Sequence, residues 1–286
     1  MDLSVIIVSW NVREKLKENL RALYEAQGNF AMEIFVVDNN SADKSAQMIR
    51  GEFPQVELIA NSKNLGFARA NNQAIKQASG KFILLLNPDM RVKPSTLEKM
   101  LKWMRENKQA SVAGCHLLDE HNNTVKHVRQ FPELSDQAAI ILKLPHLFPW
   151  ILKKYLRLNF NYSYAAKVDS IRGGFFMINR RFFKNAPLLD ERYFLWFEEV
   201  DFCRSVQQNG GEVWYTPAAE CLDYVGQSFK QIRRVQAQKY LRDSMLKYFK
   251  KWHPYWQYLF LKLAWIKVWP LIWLVNKLKI THKART

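Results

Sequence analysis

Short apolar runs alternate with amphipathic stretches through the first 118 residues of the chain. The apolar runs predict strands that are buried on both faces, over residues 3–9, 33–38, 56–60, 81–86 and 111–118. Apolar residues at helical spacing predict helices over residues 13–27, 66–79 and 94–107, with a further helix after Ser41. This alternation predicts a Rossmann-like α/β fold with a doubly wound, mostly parallel sheet.

The pattern becomes less regular after residue 118. It predicts strands near residues 125–131, 168–179 and 213–215, and helices over 196–209 and 230–252. Residues 137–164 contain Pro145 and Pro149 and are too irregular for one helix. We therefore predict one domain and a C-terminal extension. The domain covers residues 1–229, with a nucleotide-binding half over 1–118 and an acceptor and catalytic half over 119–229, and the helical extension covers 230–286.

Three polar clusters follow predicted strands and lie where the chain turns toward a helix. They cover residues 36–41, 64–72 and 85–89. Because the carboxyl ends of parallel strands share one edge of a sheet, these turns predict a nucleotide site there. Asp38 is suited to accept a hydrogen bond from a base or a ribose hydroxyl, although Asp38 and Ser41 serve equally well as helix caps.

The Asn87-Pro88-Asp89 turn offers a carboxylate at the end of a buried strand. A single carboxylate there suits Mg²⁺ or Mn²⁺ that is also held by a substrate diphosphate. The alternative is a turn in which Asp89 only satisfies backbone groups. The chain has no GxGxxG and no GxxxxGK[ST] sequence, which disfavours the dinucleotide-binding and P-loop classes.

The densest group of acids, Glu198, Glu199 and Asp201, opens a predicted helix directly after several aromatic residues. Crowding and desolvation would raise the pKa of one carboxylate, as a general base requires. The alternative is that three acids in a first turn only stabilise the helix dipole. Gly173-Gly174 permits close approach of the backbone to a ligand, or equally marks a bulge in a strand.

The charge of the chain predicts a polyanionic partner, because 43 Lys and Arg against 26 Asp and Glu give a net charge of +17. Five of the ten tryptophans lie near lysines in residues 250–283, which is typical of a membrane interface rather than a nucleic-acid groove. We predict an interfacial helix or helical hairpin there, with a spanning helix and an ordinary packed helix as alternatives. Residues 140–158 are similarly basic and apolar. Three widely spaced cysteines fit a reducing compartment.

In this order, the clusters resemble the family 2 glycosyltransferases of GT-A fold, especially the bacterial rhamnosyltransferase branch, over residues 3–228. The resemblance implies Mg²⁺ or Mn²⁺ on Asp89 and Glu199 as the catalytic base, with Asp201 in support and Glu198 as a further candidate. It implies that the donor nucleotide sugar is bound by residues from the first strand, the polar turns and the Gly-Gly segment, namely Ser9, Asn11, Asp38, Asn40, Asn64, Gly66, Asn71, Asn87, Gly173 and Gly174.

Two positions depart from the family pattern. The family usually has Asp at the position of Glu199, and the longer side chain moves the carboxylate by roughly one carbon–carbon bond. Asp223 stands where the family often has a metal-binding His, and Gly226 and Ser228 follow as in the family. Asp is a hard oxygen ligand, so Asp223 is predicted as a second metal ligand. The alternative is weaker metal binding or a lost activity.

The resemblance implies metal-dependent, inverting transfer from a nucleotide sugar, with dTDP-rhamnose as the first candidate donor and a UDP-sugar as the second. Together with the basic, apolar segments, it predicts an enzyme of cell-surface polysaccharide synthesis at the cytoplasmic face of the cell membrane. The predicted acceptor is a glycan or a polyprenyl-diphosphate-linked glycan. A non-catalytic membrane-bound scaffold of the same fold is one alternative. A nucleic-acid-binding protein is the other, and the acids in the polar turns disfavour it.

Overall fold

Strands and helices alternate through most of the computed structural model, which describes residues 1–224, 232 and 234–283. The strands are β1 (Leu3–Ser9), β2 (Met32–Asp38), β3 (Glu57–Ala60), β4 (Phe82–Leu86), β5 (Met90–Val92), β6 (Ala110–Leu118), β7 (Val128–Arg129), β8 (Ala166–Lys167), β9 (Ser170–Ile171), β10 (Phe175–Asn179) and β11 (Glu212–Asp223). The helices are α1 (Arg13–Glu25), α2 (Ser45–Glu52), α3 (Phe67–Ile75), α4 (Thr96–Glu106), α5 (Leu134–Ile141), α6 (Glu198–Gln208), α7 (Arg234–Trp252) and α8 (Tyr255–Lys283).

The central sheet has the strand order β3-β2-β1-β4-β10-β6-β11-β5, and β8 pairs with β11 outside that path. β1 runs parallel to β2 and β4, β2 is parallel to β3, and β6 is parallel to β11. β10 lies antiparallel between β4 and β6, and β5 is antiparallel to β11. The predicted α/β fold with a mostly parallel, doubly wound sheet is confirmed.

Alternate residues of the central strands pack against different helix layers, as strands buried on both faces require. In β1, Val5 and Ile7 join the apolar cluster that contains residues of α1, α2 and α4. Ile6 joins the cluster that contains residues of α3 and α6. β4 divides in the same way, with Leu84 in the first cluster and Ile83 in the second. The sheet is therefore the middle layer between two helix layers.

β11 is much longer than the strand predicted over residues 213–215, because the chain passes Pro217 without leaving the sheet. Its register with β6 shifts around Pro217. Such an irregularity accommodates a residue that cannot donate a ladder hydrogen bond. The strand then continues to Asp223 and pairs with β5, which the sequence did not predict, so that Asp223 lies opposite Met90. The extension thereby carries Asp223 next to the turn that contains Asp89.

The helix predicted after Ser41 is not capped by that residue, so this alternative interpretation of Ser41 is wrong. α2 begins at Ser45, and Asp43 Oδ1 accepts hydrogen bonds from the backbone N–H and the hydroxyl of Ser45, at 3.0 and 2.5 Å. Ser41 Oγ instead accepts a hydrogen bond from Asn11 N at 2.9 Å. A left-handed residue at Lys44 turns the chain before the helix starts.

The segment over residues 137–164 is irregular, as predicted, with 3-10 turns at Leu144–His146 and Pro149–Leu152. Its beginning nevertheless belongs to α5, a helix that the sequence analysis did not predict. A capping box formed by Glu133 and Asp136 starts this helix.

α7 and α8 pack on the domain through a third apolar cluster. This cluster joins buried residues of α5, α7, α8 and the segment before α6, namely Ile141, Tyr193, Phe197, Met245, Tyr248, Phe249, Leu261 and Trp265. The boundary predicted between residues 229 and 230 lies outside the described residues, as do Gly226 and Ser228. None of the described helices combines the length and the apolar character that crossing a bilayer needs.

Replacing Trp265 with Ala should lower the free energy of unfolding by about 3–5 kcal/mol, because the indole is buried at the centre of the third cluster. Trp256 on the same helix provides the matched control. Its side chain is 59% exposed, so Trp256→Ala should change the free energy of unfolding by less than about 0.5 kcal/mol. Denaturant unfolding followed by circular dichroism measures both values, and equal effects would contradict the packing described above.

Candidate active site

Two buried oxygens lie side by side where β1 and β2 end. Ser9 and Asp38 are register partners in these strands, and both are buried. Asp38 Oδ2 accepts a hydrogen bond from Ser41 N at 3.1 Å. Ser9 Oγ and Asp38 Oδ1 have no hydrogen-bond partner among the described residues. Because a buried oxygen without a partner is destabilising, this pair is suited to the N–H or hydroxyl groups of a ligand.

Asn39, which sequence reasoning missed, organises the turn after β2. Its Oδ1 accepts hydrogen bonds from Asn61 Nδ2 at 3.0 Å and Leu65 N at 3.3 Å, and its Nδ2 donates to Gly66 O at 3.3 Å. Asn40, which was predicted to contact the donor, is exposed and has a φ of 65°. Asn40 therefore makes the left-handed turn, and Asn39 is the buried residue that joins two polar turns.

Asn11 supports the same region from the opposite side. It adopts a φ of 52°, and its Oδ1 accepts a hydrogen bond from Ala42 N at 2.6 Å. Its backbone N–H donates to Ser41 Oγ. These two bonds hold the turn after β1 against the turn after β2, so Asn11 helps to shape the predicted nucleotide site.

The second polar turn, which begins at Asn64, is hydrogen-bonded to the segment that leads into α6. Gly66 has a φ of 83°, and a Cβ placed on it would lie 2.5 Å from Phe194 O, so only glycine fits. Asn64 Oδ1 accepts a hydrogen bond from Gly66 N at 2.9 Å, and Phe67 N donates to Phe194 O at 2.8 Å. Asn71 lies deeper, and its Nδ2 donates to Phe67 O within α3 at 2.9 Å. The structure thus places Asn71 in the helix interior rather than in the cleft.

A cleft of about 530 Å³ lies along these turns. Residues of the first strand, the three polar turns, the segment before α6 and the start of α7 line it, namely Val8, Trp10, Asn39, Asn64, Gly66, Phe67, Asn87, Pro88, Asp89, Phe194, Leu195, Ile232, Gln236 and Tyr240. The rings of Phe194 and Tyr240 stack with their centroids 4.4 Å apart. The sequence predicts the helix that contains Tyr240, but no local pattern shows that α7 reaches the cleft.

The Gly173-Gly174 segment joins the Asn87 turn to the acidic helix. Asn87 N donates a hydrogen bond to Gly174 O at 2.9 Å, and a Cβ on Gly174 would lie 3.9 Å from Asn87 Nδ2. A Cβ on Gly173 would lie 3.7 Å from Glu199 Cβ. The sheet fixes the position of this segment, because Phe175 at the start of β10 pairs with Leu86 at the end of β4. Asn87, Gly173, Gly174 and Glu199 are therefore brought together.

Glu199 has the environment of a general base. Its side chain is half-buried, and Oε2 has no hydrogen-bond partner within the described part of the chain. Burial raises the pKa of Glu199, and the positive charge of Arg172 opposes that rise. Glu198 is more deeply buried, and burial together with the Glu199 charge raises the pKa of Glu198 well above its ordinary value. Burial therefore favours the protonated form of Glu198 more strongly than that of Glu199.

Asp201 is placed as an anchor. Its Oδ1 accepts hydrogen bonds from Trp252 Nε1 at 2.6 Å and Tyr193 Oη at 3.1 Å, and its Oδ2 pairs with Lys251 Nζ at 2.7 Å. The carboxylate is buried. These bonds tie the end of α7 to the first turn of α6, and the structure does not bring Asp201 to the cleft with Asp89.

Two carboxylates offer a place for a divalent cation. Asp89 and Asp223 are both buried, and they lie on neighbouring segments because Asp223 pairs with Met90 across β11 and β5. The described residues contain no group of three or more His, Cys, Asp or Glu arranged around a metal. Mg²⁺ typically takes one or two carboxylates and completes its shell with phosphate and water, so the donor set fits this ion or Mn²⁺. Asp223 also forms an ion pair with Arg172.

Residues 4–185 match the profile of Glycosyl transferase family 2, and the chain belongs to that family. The N-acetylglucosaminyl-diphospho-decaprenol L-rhamnosyltransferase of Mycobacterium tuberculosis is 24% identical over 239 residues, which cover 79% of this chain and 77% of the relative. Rhamnosyltransferase WbbL of Escherichia coli is 26% identical over 228 residues, covering 77% and 82%. The predicted resemblance is confirmed.

Solved structures share the fold. TarS of S. aureus in complex with UDP superposes with a TM-score of 0.56 at 16% identity, over 87% of this chain and 72% of that chain. The mannosyltransferase PcManGT of Pyrobaculum calidifontis, solved with GDP-Man and Mn²⁺, gives a TM-score of 0.57 at 16% identity, over 87% and 64%. The likeness establishes the GT-A fold for this chain.

Glu198→Gln should flatten the pH dependence of stability. Because the pKa of Glu198 is raised in the fold, the folded protein keeps a proton that the unfolded chain releases above its ordinary pKa. The wild type therefore loses stability as the pH rises, by up to about 1.4 kcal/mol per pH unit. Denaturant unfolding between about pH 5 and pH 8 measures this slope. Glu25→Gln at an exposed position is the control and should keep the wild-type slope; an unchanged slope in Glu198→Gln would contradict the assignment.

Proposed function

We propose that the protein is an inverting glycosyltransferase that moves a sugar from a nucleotide diphosphate donor to a glycan or polyprenyl-diphosphate-linked acceptor. The observation that carries this proposal is the position of Gly173-Gly174, with Glu199 on one side and the Asn87 turn on the other. The proposed base and the Asn87 turn, which would face the phosphates of the donor, are thereby held on the two sides of one backbone segment. A single displacement needs such an arrangement, because acceptor and leaving group lie on opposite sides of the reacting carbon.

In the proposed reaction, the Glu199 carboxylate takes the proton from an acceptor hydroxyl as that oxygen bonds to the anomeric carbon. The bond between this carbon and the diphosphate oxygen breaks, and its electron pair leaves with the nucleoside diphosphate. One displacement inverts the anomeric configuration. The raised pKa of Glu199 supports the base role, since a stronger base accepts the proton more readily.

Ser9, Asp38 and the polar turns support a nucleotide donor. The unpaired oxygens of Ser9 and Asp38 lie at the end of the sheet where nucleotides bind in open α/β folds. The rhamnosyltransferase relatives favour rhamnose, with dTDP-rhamnose as the first candidate and a UDP-sugar as the second. The solved neighbours do not distinguish between nucleotides, because TarS was solved with UDP and PcManGT with GDP-Man.

Asp89 and Asp223 would hold the proposed Mg²⁺ or Mn²⁺. PcManGT, which was solved with Mn²⁺, favours such an ion. When bound, a divalent cation neutralises negative charge on a leaving diphosphate.

Glu199→Gln should abolish sugar transfer while leaving nucleotide binding within about twofold of wild type, because the amide keeps the shape and cannot take a proton. Calorimetric titration with dTDP, UDP, GDP and ADP, each with and without Mn²⁺, measures binding and identifies the nucleotide. Transfer is measured with the matching nucleotide sugar. Glu198→Gln is the matched control and should retain transfer, since burial and the Glu199 charge raise the pKa of Glu198 and so favour its protonated form. Full transfer by Glu199→Gln would move the base role to another acid.

A non-catalytic scaffold is the second candidate function, and the Arg172–Asp223 ion pair favours it. The guanidinium occupies a carboxylate that the metal would need. Metal-independent nucleotide binding without transfer to any glycan acceptor would support this function over the enzyme.

Exposed apolar side chains support peripheral membrane binding. One face of α8 packs on the domain, and the other exposes Tyr255, Trp256, Leu259, Phe260, Leu263 and Ile266 beside Lys262 and Lys267. A second exposed set comprises Leu142, Leu147, Phe148, Trp150 and Ile151, and it follows α5, which packs against α8. Aromatic residues interspersed with lysines suit an anionic interface. We place the proposed enzyme at the cytoplasmic face of the cell membrane, where a lipid-linked acceptor is within reach.

Replacing Trp256 and Leu263 together with Ser should weaken binding to anionic liposomes by at least about tenfold, because each side chain loses interfacial burial. Both residues are about 60% exposed, so the fold should persist. The matched control replaces Tyr164 and Leu188 with Ser, because both residues are exposed outside the two sets. This control variant should sediment with liposomes like the wild type. Equal sedimentation of all three proteins would remove α8 as the membrane contact.

A further inference from the structure

Arg172 is a charged residue that the sequence analysis did not select, and its backbone is firmly placed. It follows β9, and its N–H donates a hydrogen bond to His127 O at 3.1 Å. Its carbonyl accepts a hydrogen bond from Gly174 N at 2.9 Å. The residue therefore immediately precedes the Gly173-Gly174 segment that joins the two sides of the candidate active site.

The guanidinium of Arg172 lies among three carboxylates of that site. Its Nη2 donates to Asp223 Oδ2. The negative charges of Asp89 and Glu199 also act on it, since they raise the pKa of Arg172 against the lowering by burial and by Arg129. Asp223 is only 4% exposed, whereas the Arg172 side chain is 37% exposed. The carboxylate of this ion pair is therefore shielded from solvent, whereas the guanidinium is partly accessible to solvent.

Asp223 already has a positive partner in this arrangement. The Arg172 guanidinium pairs with Asp223, and the charges of Asp89 and Glu199 act on the same group. A divalent cation on Asp89 and Asp223 would compete with Arg172 for Asp223, because both positive groups need the same carboxylate. Once displaced from Asp223, a guanidinium with a rigid fork of donors is well suited to bind phosphate oxygens in two-point contacts.

Building on the proposed function, we propose that Arg172 binds the diphosphate of the nucleotide donor after giving up Asp223 to the divalent cation. Before the donor binds, Arg172 neutralises Asp223 in place of the cation. A bound cation would share the neutralisation of the diphosphate with Arg172.

Arg172→Gln tests the exchange through two opposite effects. Without nucleotide, Mn²⁺ should bind the variant about tenfold more tightly than the wild type, because the competing cation is gone. With saturating Mn²⁺, dTDP or UDP should bind at least about tenfold more weakly, because a charge-assisted contact is lost. Isothermal titration calorimetry measures both affinities, and neither depends on turnover.

Arg91→Gln is the matched control, because it also removes one positive charge next to the site. Arg91 lies in β5 and pairs with Glu18 at 2.9 Å, so its loss should leave both affinities within about twofold of wild type. Arg172→Lys keeps the charge without the planar fork, and its nucleotide affinity should fall between those of Arg172→Gln and the wild type. If folding limits the single variant, the double variant Arg172→Gln with Asp223→Asn avoids an unpaired buried carboxylate. Because Asp223 is itself a proposed metal ligand, the double variant is compared with Asp223→Asn alone and should bind the nucleotide more weakly than that variant.

The outcomes separate this inference from the proposed function. Failure of the wild type to bind any nucleoside diphosphate would overturn the proposed function itself. Wild-type binding of dTDP or UDP with unchanged Mn²⁺ and nucleotide affinities in Arg172→Gln would overturn only the inference, and would leave Arg172–Asp223 as a structural ion pair. Tighter Mn²⁺ binding combined with weaker nucleotide binding would establish the exchange.

Discussion

The antiparallel entry of β10 between β4 and β6 is the constraint on which the candidate active site depends. Phe175 pairs with Leu86, so the two residues before β10 must lie beside the turn that follows β4. A side chain at Gly174 would press against Met90, at 3.4 Å from its sulfur. The Asn87 turn and the Gly-Gly segment are thus held together by hydrogen bonds of the sheet, and Glu199 of the acidic helix packs next to Gly173.

Much of the first half was predictable from sequence because its determinants are local. A continuous apolar run such as Phe82–Leu86 predicts a strand that is covered on both faces. The structure buries every residue of that strand. The polar turns were also predictable, since proline and asparagine end strands for steric reasons that need no distant partner. Asn87 was identified in this way, and it lines the cleft, whereas Asp38 precedes the lining residue Asn39.

The residues that were misjudged depend on distant partners. Pro217 ends a strand in most contexts, but the offset pairing with β6 lets β11 continue. Asn39 and Asn40 are identical in type, and only burial against Gly66 distinguishes them. Asp201 resembles a catalytic acid until Lys251 and Trp252, fifty residues away, are seen to bind it. No local pattern reports such contacts.

Because Asp201 is bound by residues of α7, α6 and α7 can change only together. Its carboxylate and the Glu199 carboxylate belong to the same first turn of α6, and the Asp201 bonds reach the last turn of α7. α7 also contributes Tyr240 to the wall of the cleft. α7 is therefore not an independent module that could be exchanged between proteins. A graft that replaced α7 would have to supply its own partner for Asp201, or it would shift Glu199, the proposed base, and one wall of the cleft together.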